Sequence, residues 1–513
     1  MIELAITADD FTGALDTAVQ FSRNSTGTAV MFYNDLDFSG ISGEVRVVVI
    51  DTESRHVSPE EAASRVKEAV TKARACGVTH FYKKTDSVLR GNIGSELMAI
   101  MEAAGSRDLM FVPAYPDMGR TTREGRQYLN GVQLNETSFA KDPIDPVSDC
   151  DIANIIKKQA DAEIITVGRN ERPDLANGYE PGGPMDAGKK EDPHNLNDTN
   201  NPYEPNNADE PYSPGEPGGR GPAGRPAGRS MSRSAGRIYV FDAESNKDLK
   251  NIAGLLKAEG KLKLTAGCAG FAGVLPETLE LCIPWESDRA NCLAKDPAGS
   301  VTEAPAGYPA KSPEVTASKA SASVADGKST GRMLTVCGSV NEISLRQVRF
   351  AEENGFCRIT PEPGQLLTPG YFETEAGSDF VERTARLISG GKDVIISAAA
   401  SQADRENFCR FAREKKIDED EIPFIISHGI AELVHKIADI AHPGIFTVVG
   451  GDTAVAIAYS MGFSSVIPRY DIEKGVVLSE AFGYGDGIIL ITKSGGFGNE
   501  DILVKVRDCM KNG

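Results

Sequence analysis

Short apolar runs and amphipathic segments alternate along most of this chain. The runs are IELAIT (2–7), EVRVVVID (44–51), THFYKK (79–84), LMFVPA (109–114), AEIITV (162–167), GRIYVFDA (236–243), RMLTVCGS (332–339), KDVIISAA (392–399), IFTVVGG (445–451) and GIILITKS (487–494). Between most of them, apolar residues recur at helical spacing over 13–23, 59–76, 93–104, 344–354, 403–416, 430–441 and 453–461. Unbroken Val/Ile runs flanked by amphipathic helices predict largely parallel sheets covered on both faces. The fold class expected is therefore α/β, with two α/β domains at 1–285 and 332–513 and an active-site cleft between them.

Two segments break the pattern. Residues 169–236 are dense in Gly, Pro, Asn and Asp and nearly free of aliphatics, so they cannot bury enough surface to offset ordering entropy. They read as a disordered low-complexity insertion. Residues 294–331, rich in Ala, Ser, Pro and Lys, form the body of an expected flexible linker over 286–331.

Composition narrows the class. A length of 513 residues suits two or more domains. The net charge of -19 argues against a nucleic-acid partner, yet a locally basic pocket can still take a small anion. No apolar run reaches the roughly 18 residues of a membrane span, and MIELAITADDF lacks a basic n-region, so a cytoplasmic protein is expected. Nine cysteines without a CxxC pair read as reduced thiols, and six scattered histidines offer no zinc site. Oligomeric state is left open.

In open parallel sheets, ligands bind where strands end and helices begin. The second half repeats that junction at Gly338-Ser339, at Gly450-Gly451-Asp452-Thr453 and at Lys493-Ser494-Gly495-Gly496-Phe497-Gly498. Glycine lets a backbone approach a phosphate, and the helix start behind it offers unpaired N–H groups. Asp452 is placed to hold Mg²⁺ and Lys493 to meet a phosphate. The three turns together point to nucleotide binding, although no P-loop run is present. FGYGDG (482–487) precedes its strand and reads as a turn.

In the first half the strand ends carry charge of both signs. Asp9, Asp10 and Thr12 end the first strand, with Asp16 in the helix that follows. Asp51, Arg55 and His56 end another. Lys83, Lys84, Thr85 and Asp86 end a third, and Asp117, Arg120, Thr121 and Thr122 follow a fourth. A charged strand end taken alone is a solvated loop, and Asp9-Asp10 taken alone is a helix cap. The combination of Arg, Lys, Asp and Thr suits a small ligand bearing a carboxylate and several hydroxyls.

ADDFTGALDTA (8–18), DTESR (51–55), YKKTDSVLRGNIGSEL (82–97), GRTTREGRQYLNGVQLNETSFAKDP (119–143), GGDTA (450–454) and KSGGFG (493–498) resemble, in order, the four-carbon acid sugar kinase family. The resemblance implies an ATP-dependent kinase that phosphorylates D-threonate, D-erythronate or a 3-oxo-tetronate. An N-terminal acid-sugar-binding domain and a C-terminal ATP-binding domain go with it. It places substrate contacts on Asp10, Arg55, Lys84, Thr85 and Asp86. Its ATP contacts fall on Ser339, Gly450, Gly451, Asp452, Thr453 and Gly495. TAGCAGFAG (265–273) also resembles the family, but Cys268 stands where serine is common, and the two low-complexity segments are departures.

The reaction expected is phosphorylation of the terminal hydroxyl with ATP and Mg²⁺. Asp10 is the expected catalytic base or hydroxyl anchor, with Asp86 the second candidate. Two other readings stay open at this point. One is a different nucleotide-dependent enzyme acting on a small hydroxy acid, against which the missing G-x-G-x-x-G fingerprint counts for a dehydrogenase. The other is a non-catalytic sensor of metabolite or nucleotide.

Overall fold

Val47–Asp51 and Ile445–Val449 are buried along their whole length, the burial that a strand covered on both faces requires. In the computed structural model such runs become the middle of a large sheet. The structure describes residues 2–173 except 39–40, 42 and 142–144, then 175, 236–281, and 332–512 except 340, 400–401, 419–420 and 486. The expected linker, and the expected insertion but for 169–173, 175 and 236, lie outside the described residues.

In chain order the strands of the first half are β1 (Leu4–Ala8), β2 (Thr28–Phe32), β3 (Val47–Asp51), β4 (His80–Lys84), β5 (Asp108–Val112), β6 (Arg120–Arg123), β7 (Arg126–Leu129), β8 (Val132–Gln133), β9 (Ala162–Val167), β10 (Gly236–Phe241) and β11 (Leu264–Gly267). The second half adds β12 (Met333–Cys337), β13 (Cys357–Ile359), β14 (Val394–Ser397), β15 (Ile445–Val449), β16 (Ser465–Glu473), β17 (Val476–Phe482) and β18 (Ile488–Lys493). Fifteen of them make one sheet, ordered β13-β14-β12-β15-β18-β17-β16-β2-β3-β1-β4-β11-β5-β10-β9, while β6, β7 and β8 form a small sheet of their own.

Every pairing from β2 through β9 is parallel, and so is every pairing from β13 through β18. The two largely parallel stretches expected are therefore present, but joined in one sheet rather than standing as two. Antiparallel β17 and β16 extend the second stretch, and β16 meets β2 at Val466 and Val30. Helix α1 (Phe11–Ser22) fills the angle at this seam, packing on β2, β3, β16, β17 and β18 and on the helix Gly451–Ser460. Ten of its residues are buried, which is why it is apolar nearly all round. Helices α2 (Pro59–Ala75) and α3 (Ile93–Ala104) cover the other face of the first half, α2 with a one-sided apolar stripe and α3 with nine of its twelve residues buried.

Candidate active site

The loop after β1 turns straight into α1, and Asp10 caps it. Asp10 Oδ1 accepts from the Gly13 backbone N–H at 3.1 Å, and Oδ2 accepts from Thr12 Oγ1 at 2.8 Å. Gly13 is required there, because a Cβ would sit 2.3 Å from Asp10 Oδ1 and 2.8 Å from Lys84 Nζ. Arg55, beyond β3, reaches back across this cap. Its Nε donates to Asp9 Oδ2 at 2.7 Å, Nη1 to Asp10 Oδ2 at 3.0 Å, and Nη2 lies 2.7 Å from Asp10 Oδ1. Asp86 Oδ1 is 3.6 Å from the same Nη2 and is also held by Arg90 Nη2 at 3.0 Å, with Arg90 Nε on its Oδ2. Burial works to raise the Asp10 and Asp86 carboxyls, but the surrounding cations win and hold Asp10 below the usual range and Asp86 well below it.

Lys83 and Lys84 end β4 side by side and do different jobs, because successive residues of a strand face opposite sides. Lys83 is fully buried toward α3 and pairs with Glu96 at 3.2 Å. Lys84 turns to the α1 side, where Nζ donates to the Thr85 carbonyl at 2.8 Å beside the Gly13 turn. Thr85 is buried behind it, its backbone N–H on the Gly267 carbonyl.

The three glycine turns of the second half converge. A Cβ on Gly338 would lie 1.8 Å from Thr453 Oγ1, one on Gly450 would lie 3.4 Å from the Ser339 nitrogen, and one on Gly495 would lie 2.6 Å from Ser339 Oγ. Gly450 itself has φ +112°, a conformation that favours glycine. Ser339, Gly450, Gly451, Thr453 and Gly495 thus surround one spot at the start of the helix Gly451–Ser460. That spot faces the Asp10 cap: a Cβ on Gly451 would be 3.4 Å from Thr12 Oγ1 and 3.5 Å from Asp10 Oδ2. Ser494 Oγ donates to Thr12 Oγ1 at 3.3 Å. Two helix N-termini, one from each half, therefore meet head to head, a place suited to negative charge.

Comparison with known proteins agrees with this division. Residues 4–182 match the family model described as a sugar-binding N-terminal domain, and residues 334–503 match the one described as a nucleotide-binding C-terminal domain. The D-threonate kinase of Salmonella typhimurium is 26% identical, the match covering 98% of this chain and 97% of that protein. The D-erythronate kinase of Heliobacterium modesticaldum is 27% identical over 98% of this chain and 95% of its own. This chain belongs to the four-carbon acid sugar kinase family. The crystal structure of the Haemophilus influenzae protein HI1011 shares the fold, with TM-score 0.58 and 19% identity over 98% of this chain and 99% of that one.

In this four-carbon acid sugar kinase one side chain lies differently from what its place in the sequence suggested. Lys493 is not free to meet a phosphate. It is buried, and Nζ donates to the carbonyls of Ser494, Gly495 and Phe497 at 2.8, 3.3 and 2.8 Å, which uses its three protons to hold the glycine loop in shape. Cys268 is buried as a thiol, with Sγ near the carbonyls of Pro113 and Ala114, and burial pushes it up to about 11. It staples strand ends together. Asp452 is exposed in the first turn of its helix, and its charge helps raise the carboxyl of Glu53. Among the described residues no group of three His, Cys, Asp or Glu side chains could hold a metal ion.

Sequence reasoning placed Asp16 and Arg120 at strand or helix ends without giving either a role. Asp16 is one helical turn past Thr12, and burial pushes its carboxyl up to about 6 against the pull of Lys84, Arg23 and Arg120. Arg120 opens β6, and its guanidinium carbon stacks 5.2 Å from the centre of the Phe497 ring. The turn between β16 and β17 adds Lys474, paired with Asp117 at 2.5 Å, as a further tie between the halves.

Proposed function

We propose that this kinase transfers the γ-phosphoryl group of ATP to the terminal hydroxyl of a four-carbon sugar acid, D-threonate and D-erythronate being the first substrates to test. The observation that supports this most is the contact of Gly451 with Thr12 and Asp10. It sets a phosphate-binding helix start against a carboxylate that can orient a hydroxyl.

In this reading the phosphates lie on Ser339, Gly450, Gly451, Thr453 and Gly495, held by backbone N–H groups and hydroxyls. The acid lies against Asp10, Arg55, Lys84, Thr85 and Asp86. A bond forms between the terminal oxygen of the acid and the γ-phosphorus, the bond to the β-phosphate oxygen breaks, and the hydroxyl proton passes to Asp10. Asp10 suits this better than Asp86, because its Oδ2 is the carboxylate oxygen that faces Gly451 at the phosphate-binding helix start. Lys84 has N–H groups beyond its one bond to Thr85 and lies at the start of α1, the helix start that faces Gly451, where charge gathers during transfer. Mg²⁺ is held largely by substrate phosphates and one or two carboxylates in such enzymes, and the exposed carboxylate of Asp452 is the group placed to serve it. When bound, the ion supplies neutralisation of phosphate charge.

The test is direct. The full chain is incubated with ATP, Mg²⁺ and each of D-threonate, D-erythronate and 3-oxo-tetronate, and phosphorylated acid is followed by mass spectrometry alongside ADP release. ADP formation that no acid increases would reject the proposal.

A further inference from the structure

The cations around the cleft can be sorted by what already occupies them. Arg55 is engaged by Asp9, Asp10 and Asp86. Arg90 is engaged by Asp86, Lys83 by Glu96, and Lys493 by three carbonyls. Lys84 sits at the head-to-head helix starts, where the phosphoryl group belongs. None of these is left to meet the carboxylate that distinguishes a sugar acid from a sugar alcohol.

Arg120 is different. It is only 8% exposed, and its Nε has no hydrogen-bond partner. Among the described residues no carboxylate lies within ion-pair distance of it. Its guanidinium is fixed by one bond from Nη1 to the Met118 carbonyl and by the Phe497 ring against its face. Burial without a counter-ion lowers its pKa, offset in part by more distant Asp86. A buried guanidinium held flat, with its Nε edge unused, matches a carboxylate that accepts two parallel N–H bonds.

We propose that Arg120 is the seat of the substrate carboxylate, with Asp16 receiving the hydroxyls of the chain that runs from there to Asp10. This rests on the kinase reading above and deepens it. Asp16 is the link because it lies on α1 one helical turn past Thr12, the residue whose hydroxyl bonds Asp10. Phe497 belongs to the same loop as Gly495, and its ring also packs on Gly475 in the β16–β17 turn. The nucleotide half thereby fixes the plane of the group that grips the acid. Arg55 then serves chiefly to hold Asp10 and Asp86 in place.

The experiment compares wild type, Arg120→Met and Arg120→Lys in steady-state kinetics, with the neutral four-carbon polyol as a competitive inhibitor lacking the carboxylate. Arg120→Met is expected to raise KM for the acid about ten- to hundredfold, the usual weight of a charged hydrogen-bonded pair. KM for ATP and the inhibition constant of the polyol should stay within about twofold. Arg120→Lys should fall between. An unchanged KM for the acid, or equal losses for acid, polyol and ATP, would overturn the assignment and leave Arg120 as a packing residue. If Arg120→Met fails to fold, judged by loss of the ATP-induced thermal shift, Arg120→Lys decides by the same criteria. A wild-type chain that phosphorylates no four-carbon acid would overturn both the kinase reading and this one. Wild-type turnover with an unaltered variant overturns only the carboxylate seat.

Discussion

Asp10 divides two oxygens among a helix cap, a threonine hydroxyl and both ends of an arginine. A carboxylate so surrounded stays ionised at neutral pH, so its contribution lies in orientation and in accepting a proton late in a loose transition state. Asp10→Asn keeps the shape but removes the charge that balances Arg55 and Lys84. Turnover should fall about a hundred- to ten-thousandfold while KM for ATP changes little. Steady-state kinetics checks this, and an unaltered turnover would move the proton acceptor elsewhere. At this scale the sequence shows charges without their direction. Lys83 and Lys84 are neighbours of one type, and only strand alternation with the partner Glu96 on α3 separates the buried ion pair from the cleft lysine. Arg55 looks available on paper; three acids from two loops show otherwise.

The glycine loop after β18 is an element whose shape depends on one buried lysine. Lys493 gives its protons to Ser494, Gly495 and Phe497, and desolvation lowers its pKa to about 8. Lys493→Met would leave those carbonyls without their donor, at a cost of about 1–3 kcal/mol for each one kept from water. The melting temperature should fall by several degrees and KM for ATP should rise, because Gly495 and Phe497 lose their positions. A rise in KM with unchanged melting would mean that Lys493 touches phosphate after all. Elements with unbroken apolar runs, such as β3, β12 and β15, were readable because burial on both faces demands such runs. The hairpin β16–β17 was not. Its first strand carries Pro468 at a register shift, and a proline inside a run argues against a strand. β11 has only four residues and ends in Gly267, and β2, TAVMF, lacks the consecutive Val/Ile residues that mark β3, so neither stands out from its neighbours.

Across the whole molecule, the seam between the two halves gathers carboxyl groups that resist ionisation. Burial, with Asp10 and Asp9 nearby, pushes Asp51 up to about 7. Burial, with Asp16 nearby, pushes Asp471 in β16 up to about 7 despite Arg23 at 3.6 Å. Asp16 on α1 follows at about 6. A carboxyl whose folded pKa is raised stabilises the fold fully below its unfolded value near 3.8, and that contribution is lost as pH rises toward 7. Asp10 and Asp86 act in the opposite sense, since their folded values are depressed and their contribution is lost below about pH 4. Stability should therefore decline from about pH 5 to about pH 7 and level off above that. Asp471→Asn should flatten part of the decline and raise the melting temperature at pH 8 by a few degrees, with little gain at pH 5. Calorimetry across this range checks both expectations. A wild-type melting temperature constant from pH 5 to pH 8, or a variant with the same slope, would show that the seam accepts these charges. The raised acids would then be solvated by movement of the halves at the seam, and α1 would be a less rigid wedge between β2 and β16 than its burial implies.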